Sequence, residues 1–250
     1  MTDRDKRLID GAASMGIELS GGQASLLGRH MDLVLEWNAK INLTAITDEE
    51  DFIAKHILDS LSLVKCAGLS ELSGDCERSF SLIDVGSGSG FPGIPLKILF
   101  PRLRLTLLDS LGKRVNFLNE AIKTLLLEGV SVLNARAEEA GSDPAYRQRF
   151  DFCAARAVAP LGVLSEYCLP FVKSGGYFYA MKGPDAASEL NAASSAINTL
   201  GGEVEGVAEI SLPRAGITHT VVIIKKVRQT PPKYPRKQPQ ILKNPIKAPE

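Results

Sequence analysis

The residues best placed to do chemistry lie between positions 84 and 93. Asp84-Val-Gly86-Ser-Gly88-Ser-Gly90-Phe91-Pro92-Gly93 follows the apolar run Phe80–Ile83 and leads into a helical pattern. Closely spaced glycines let a backbone turn sharply and approach a ligand without Cβ clashes. The helix start beyond them offers unpaired N–H groups. Two registers are possible. Gly88-x-Gly90-x-x-Gly93 satisfies the dinucleotide fingerprint, whose amides hold pyrophosphate. It sets the glycines well past the strand, however, and puts Pro92 inside the phosphate turn. The register Asp84-x-Gly86-x-Gly88-x-Gly90 instead puts a glycine directly after an acid-ended strand. Further along, the apolar run 104–108 ends at Asp109, where a carboxylate suits the two hydroxyls of an adenosine ribose. The competing reading of Asp109 is a helix cap for the segment beyond it. Ala135-Arg136-Ala137-Glu138-Glu139 ends the next apolar run. A small residue and an acid there can pack an adenine ring and accept from its amine; a solvated acidic turn would look the same.

The second register is the pattern of class I methyltransferases that use S-adenosylmethionine. In such folds the fourth strand tip faces the transferred methyl, and here it reads Ala155-Arg156-Ala157-Val158-Ala159-Pro160. Enzymes that methylate exocyclic amines place Asn/Asp-Pro-Pro-aromatic at this tip, and enzymes that methylate pyrimidine carbon need a cysteine nucleophile. Neither is present at this tip. An acceptor that is already nucleophilic and carries no proton to remove, such as N7 of guanine, fits that absence. Transfer would then rest on proximity, which can supply roughly 7–11 kcal/mol. No residue is assigned as a catalytic base.

The elements that must position these groups follow from periodicity. Residues 1–75 read as a helical segment. Ser20–Gln23 forms a capping box ahead of Leu26, Leu27, His30, Leu33, Val34 and Trp37, and Thr47–Glu50 repeats the signal ahead of Phe52, Ile53, Ile57, Leu61 and Val64. Residues 68–79 read as a linker. From Phe80 short apolar runs alternate with helical stretches: strands at 80–85, 104–108, 130–134, 150–155, 176–181, 204–211 and 217–225, helices near 93–100, 112–127, 161–172 and 185–200. This predicts an α/β, Rossmann-like fold with a mostly parallel sheet, ending in an antiparallel hairpin turned around Pro213–Gly216. The expected division is a helical segment 1–75, a catalytic domain 76–227 and a basic, proline-rich tail 228–250, extended until it meets a partner.

Charge is balanced overall but unevenly spread. Residues 210–250 hold nine Lys/Arg and one acid, whereas the rest holds 20 bases and 28 acids. A basic tail on an acidic body suits a polyanion or a solvated extension equally. Lys225, Lys226, Arg228, Lys233, Arg236 and Lys237 would supply the basic surface, with Tyr234 able to stack on a base. Cys66, Cys76, Cys153 and Cys168 lie in no metal-ligand spacing and read as reduced thiols, so no metal is expected. No apolar run approaches 18 residues and no secretory signal is evident, so the expected location is the cytoplasm with no membrane contact.

Taken together, Trp37–Thr44, Lys55-His56-x-x-Asp59-Ser60, Leu82–Gly93, Leu108–Leu118, Arg136–Glu138, Ala155–Ala157, Met181–Gly183 and Thr230–Lys237 resemble the bacterial guanine-N7 methyltransferases of small-subunit (16S) ribosomal RNA, the RsmG/GidB family. The resemblance spans about residues 30–240. It departs after Lys237, where the family's glycine-containing turn is replaced by Gln238–Lys243. It implies S-adenosyl-L-methionine as cofactor, with Gly86, Phe91, Ala137, Glu138 and Arg156 at its site and Arg156 near the methionine carboxylate; the loop and strand-end reading adds Gly88, Gly90 and Asp109. It implies ribosomal RNA as substrate, naked or in a partly assembled subunit; the charge pattern sets Lys233, Arg236 and Lys237 toward the RNA, and Lys182 is a further candidate. His56 and Asp59 are motif positions that could bond each other at a helix–sheet interface. Two other classes stay open: a nicotinamide-dependent oxidoreductase, and a non-catalytic RNA-binding assembly factor.

Overall fold

The computed structural model describes the chain except residues 73–78, 157–158, 184–185, 213–216 and 248–250. Cys76 and the hairpin turn at 213–216 therefore lie outside the described residues.

Seven strands form one sheet: β1 (Ser81–Val85), β2 (Arg104–Asp109), β3 (Val130–Asn134), β4 (Phe150–Arg156), β5 (Val172–Lys182), β6 (Gly202–Leu212) and β7 (Ile217–Lys226). Their order is β3-β2-β1-β4-β5-β7-β6. The first five are parallel, and β7 is antiparallel to both β5 and β6. The chain starts in the middle, winds outward to β3, then returns to β4 beside β1. The carboxyl ends of β1 and β4 thus flank the topological switch point, where ligands bind in open α/β sheets.

Period-two alternation separates two cores. Leu82, Leu105, Leu107, Phe152, Tyr179 and Val221 face one layer. Ile83, Leu108, Cys153, Phe178, Val222 and Ile224 face the other. The first layer contains α5 (Gly93–Leu99), α6 (Gly112–Leu125) and the N-terminal helices, and the second contains α8 (Leu161–Cys168) and α9 (Ala186–Thr199), with α7 (Ala137–Ala140) beside it.

The N-terminal segment begins with α1 (Asp3–Ser14), opened by a capping box between Thr2 and Asp5. The Ser20–Gln23 capping box opens α2 (Gly21–Ile41) as expected. The third start differs from expectation: Asp48, not Thr47, caps α3 (Glu49–Phe52), accepting from the Asp51 amide at 3.0 Å. Helix α3 runs into a π-helical turn, Ile53–Leu58, before α4 (Asp59–Leu61). Leu8, Leu27, Met31, Phe52, Ile57 and Leu61 are fully buried in the same core as one sheet face.

The proline-rich tail corrects the sequence reading. It is docked, not extended, and ends in α10 (Gln238–Lys243). Tyr234 and Ile241 are buried in the second core. The Arg147 guanidinium donates to the carbonyls of Thr230 and Tyr234, each at 2.7 Å. Lys226 is wholly buried and donates to the carbonyls of Leu169 and Leu200 and to the Thr230 hydroxyl. Burial lowers its pKa to about 7.

Candidate active site

A cavity of about 900 Å³ opens over the carboxyl ends of the parallel strands. That is ample for a drug-sized ligand. Its floor is the loop after β1. Gly86, Gly88 and Gly90 take φ values of 75°, 58° and 88°, a region that L side chains resist. The left-handed glycines are those of the Asp84-x-Gly-x-Gly-x-Gly register. Gly93 instead opens α5, and a Cβ there would strike Leu107 at 2.6 Å.

Each loop residue has a distinct place. Gly86, Gly88 and Phe91 line the cavity, and a Cβ on Gly88 would meet nothing closer than 3.8 Å. Gly90 does not line it. That glycine turns inward, where a Cβ would meet Ile94 at 2.5 Å and His30 at 3.2 Å, so it shapes the loop without facing a ligand. Asp84 is completely buried. Its Oδ2 accepts from the Ser87 hydroxyl at 2.7 Å and the Gly93 amide at 3.0 Å, while Oδ1 has no protein partner. Burial raises its pKa to about 6 against those hydrogen bonds.

Asp109 accepts from the Gly88 amide at 3.0 Å and the Leu111 amide at 2.9 Å. The helix-cap reading is seen directly, since the carboxylate organises the start of α6, and Asp109 also lines the cavity. Each oxygen retains acceptor capacity beyond these bonds. Ala137 and Glu138 line the same cavity beside Tyr167.

At the tip of β4, Arg156 donates to the Lys55 carbonyl at 3.1 Å, to Asp59 Oδ2 at 3.1 Å and to His56 Nδ1 at 3.0 Å. Its guanidinium lies 5.3 Å from the centre of the Phe91 ring. Three of its five N–H groups are engaged, which leaves two for a ligand. His56 and Asp59 converge on this arginine instead of on each other. Because His56 Nδ1 accepts, its proton sits on Nε2 and is donated to the Thr44 hydroxyl, 2.8 Å away. Burial, then the Arg156 charge, depresses the His56 pKa to about 3. The buried Asp59 uses Oδ1 for His219 Nδ1 at 2.7 Å, and this hydrogen bond raises the His219 pKa.

Sequence reasoning did not single out His219, which sits alone in a strand 160 residues from Asp59. It also missed the role of His30. That ring is buried, meets the Ser89 carbonyl at 2.9 Å and packs 4.7 Å from Phe91. The π-helical turn sets Lys55 and His56 facing the β4 tip. Such turns often occur at functional sites.

The basic candidates divide. Lys182 lines the cavity, but its ammonium pairs with Glu189 at 2.8 Å and donates to the Ala159 carbonyl at 2.8 Å. Arg236 is turned into the protein against the buried Glu166, with contacts of 2.9 and 2.6 Å. Tyr234 is buried beneath Lys233 and Arg236, unavailable for stacking on a base. Lys225 pairs with Glu205 at 3.5 Å. Lys233 and Lys237 are exposed.

The cavity tests well against a nucleoside that carries an amino-acid arm. It has left-handed glycines that open the loop, a carboxylate at the tip of the next strand, and a fixed guanidinium with two N–H groups remaining. Among solved structures, MtNAS (a mutant in complex with S-adenosylmethionine) matches with a TM-score of 0.52 at 19% identity, over 90% of this chain and 83% of that one. A ribosomal protein L11 methylase from Lactobacillus delbrueckii subsp. bulgaricus matches with a TM-score of 0.51 at 11% identity, over 73% and 81%. At such identities the likeness concerns the fold. Strand order, antiparallel ending and loop define the class I methyltransferase fold.

The sequence relatives narrow this. A family model described as rRNA small subunit methyltransferase G matches residues 23–218. The ribosomal RNA small subunit methyltransferase G of Alkaliphilus metalliredigens (strain QYMF) is 50% identical over 240 residues, 96% of this chain and 98% of that protein. The protein of that name from Acetivibrio thermocellus is 49% identical over 241 residues, 96% of each. The chain belongs to the rRNA small subunit methyltransferase G family.

Proposed function

We propose that this enzyme transfers a methyl group from S-adenosylmethionine to N7 of a guanine in small-subunit ribosomal RNA. The observation that carries the choice of N7 is the cavity wall at the β4 tip. Among the described residues, the ionisable groups there are Lys55, His56, Asp59, Arg156, Lys182, Glu189 and His219, each engaged with another protein group. Cys66, Cys153 and Cys168 are buried and line no part of the cavity, so none of them is placed as a carbon-methylation nucleophile. The tip sequence, Ala155–Pro160, contains no Asn/Asp-Pro-Pro run to receive an amine. His56, held neutral with its acceptor nitrogen on Arg156, is a poor base.

Guanine N7 needs none of these, because it presents a lone pair and has no proton to lose. The bound cofactor supplies an electrophilic methyl on a sulfonium. The protein's part is to hold two reactants in line and exclude water. Gly86 and Gly88 let the backbone approach the amino-acid arm. Asp109 would accept from the ribose hydroxyls, and Arg156 would offer its remaining N–H groups to the carboxylate. Asp59 and His56 fix the plane of Arg156. Ribosomal RNA as substrate is supported by the names of the relatives, and naked RNA against a partly assembled subunit is a choice of presentation that the same assay reads.

The test is methylation of small-subunit RNA transcribed with guanosine or with 7-deazaguanosine, offered naked and in subunits. The expected result is incorporation into guanosine RNA and none into the 7-deaza RNA. Equal incorporation into both would place the methyl elsewhere.

A further inference from the structure

Resting on the assignment of the cavity to S-adenosylmethionine, we propose that the C-terminal segment builds part of the adenosyl half of that site, through Gln238 and Leu242. Both residues line the cavity, although they lie more than 80 residues beyond the β4 tip at Arg156 and outside the part of the chain matched by the family model.

The placement is fixed at several points. The Arg236 backbone amide and guanidinium both bond the buried Glu166, next to the cavity-lining Tyr167. Ile241 is wholly buried and holds α10 by its inner face. Arg236 also donates to the Asn244 carbonyl at 2.9 Å, tying down the far end of the helix. From this base Gln238 Oε1 accepts from Arg136 at 2.9 Å, and the Gln238 side chain also meets the Tyr167 hydroxyl. Gln238 therefore joins the tip beyond β3, the α8 wall and the tail at one point, beside Ala137 and Glu138.

Leu242 is 55% exposed and Leu111 53% exposed. Large apolar side chains left open at a cavity rim gain from a ligand that covers them. The amino-acid arm offers nothing apolar and planar, whereas adenine does. Asp109 marks the ribose end of the cavity, and Leu111 lies two residues beyond it. The two leucines and the Gln238 bridge thus belong to the adenine end, and the charged Arg156 cluster belongs to the other.

The experiment is calorimetry on the full chain with S-adenosylhomocysteine and with methylthioadenosine, which lacks the amino-acid arm. Gln238→Ala and Leu242→Asp are compared with wild type and with Lys243→Ala, an exposed neighbour on the same helix. The expected result is a three- to tenfold weaker Kd for both ligands in both variants, with Lys243→Ala as wild type. Unliganded Tm values stay level for Leu242→Asp, whose side chain is exposed, so that variant carries the test if Gln238→Ala folds poorly. Unchanged affinity in Leu242→Asp overturns the proposal. A loss confined to S-adenosylhomocysteine also overturns it, because the segment would then act on the amino-acid arm. If wild type binds neither ligand, the cofactor assignment itself fails, and the inference fails with it.

Discussion

Asp59 carries the charged end of the cavity. Its two oxygens hold Arg156 and His219, and its side chain is 1% exposed. Breaking a buried pair from one side costs about 3–5 kcal/mol. Asp59→Asn is expected to lower unfolding free energy by about that amount in urea titrations, and also to lower the His219 pKa; a variant as stable as wild type would show that the pair is dispensable. The three histidines are expected to titrate apart in an NMR pH series. His219, raised by Asp59, contributes stability that is complete below about pH 6.5 and is lost as pH rises through its folded pKa. His30 and His56, lowered to about 4 and about 3, act oppositely. The unfolded chain takes up protons that the folded chain refuses, so they erode stability as pH falls below about 6.5. A His56 resonance shifting near pH 6.5 would contradict the Arg156–His56–Thr44 arrangement. At this scale the glycine loop and Asp109 were legible, because their chemistry is local: a strand end, a turn and a helix start. Arg156 was legible only through its family motif. The partners that fix it were not, since nothing in a lone histidine on a strand announces a carboxylate 160 residues away.

The strands and helices followed their periodicities, and the seven strands fall where alternation places them, within a few residues at each end. Several elements escaped, among them the one-turn α7, where the sequence offered only an acidic turn, and a helical turn at Ser70–Leu72 inside the expected linker. A π-helical turn leaves the spacing of Phe52, Ile53, Ile57 and Leu61 looking like an ordinary amphipathic helix. The tail escaped for a different reason. Its prolines correctly imply little regular structure, but composition does not reveal docking, which depends on Glu166 and Arg147 far upstream. Arg236→Ala is therefore expected to act on stability before it acts on RNA. It strands a carboxylate that is 1% exposed, at a cost of about 3–5 kcal/mol. Amide exchange across 230–243 should accelerate more than exchange in β1 or β4. Protection unchanged in that segment would mean that the prolines and Tyr234 alone hold it down.

Across the whole molecule, the excess of positive charge in the last 41 residues is partly internal. Lys226, Arg228 and Arg236 bond protein groups, and Lys225 pairs with Glu205. Lys233, Lys237 and Lys243 remain on the surface, on the segment that walls the cavity. The double variant Lys233→Ala/Lys237→Ala is expected to weaken RNA binding and flatten its salt dependence, by about 0.7–0.9 in slope for each lost phosphate contact. The unliganded Tm should hold, unlike that of Arg236→Ala. Parallel salt slopes for wild type and the double variant would remove these lysines from the RNA interface. The wall formed by α10 also has a consequence in time. Synthesis runs from the amino end, and domains fold as units in that direction. The glycine loop and Asp109 emerge early, yet Gln238 and Leu242 emerge after every strand of the sheet. On the role proposed for α10, a nascent chain carries the glycine loop and Asp109 before the adenosyl wall, and its full affinity for the cofactor waits for a helix made after the whole sheet.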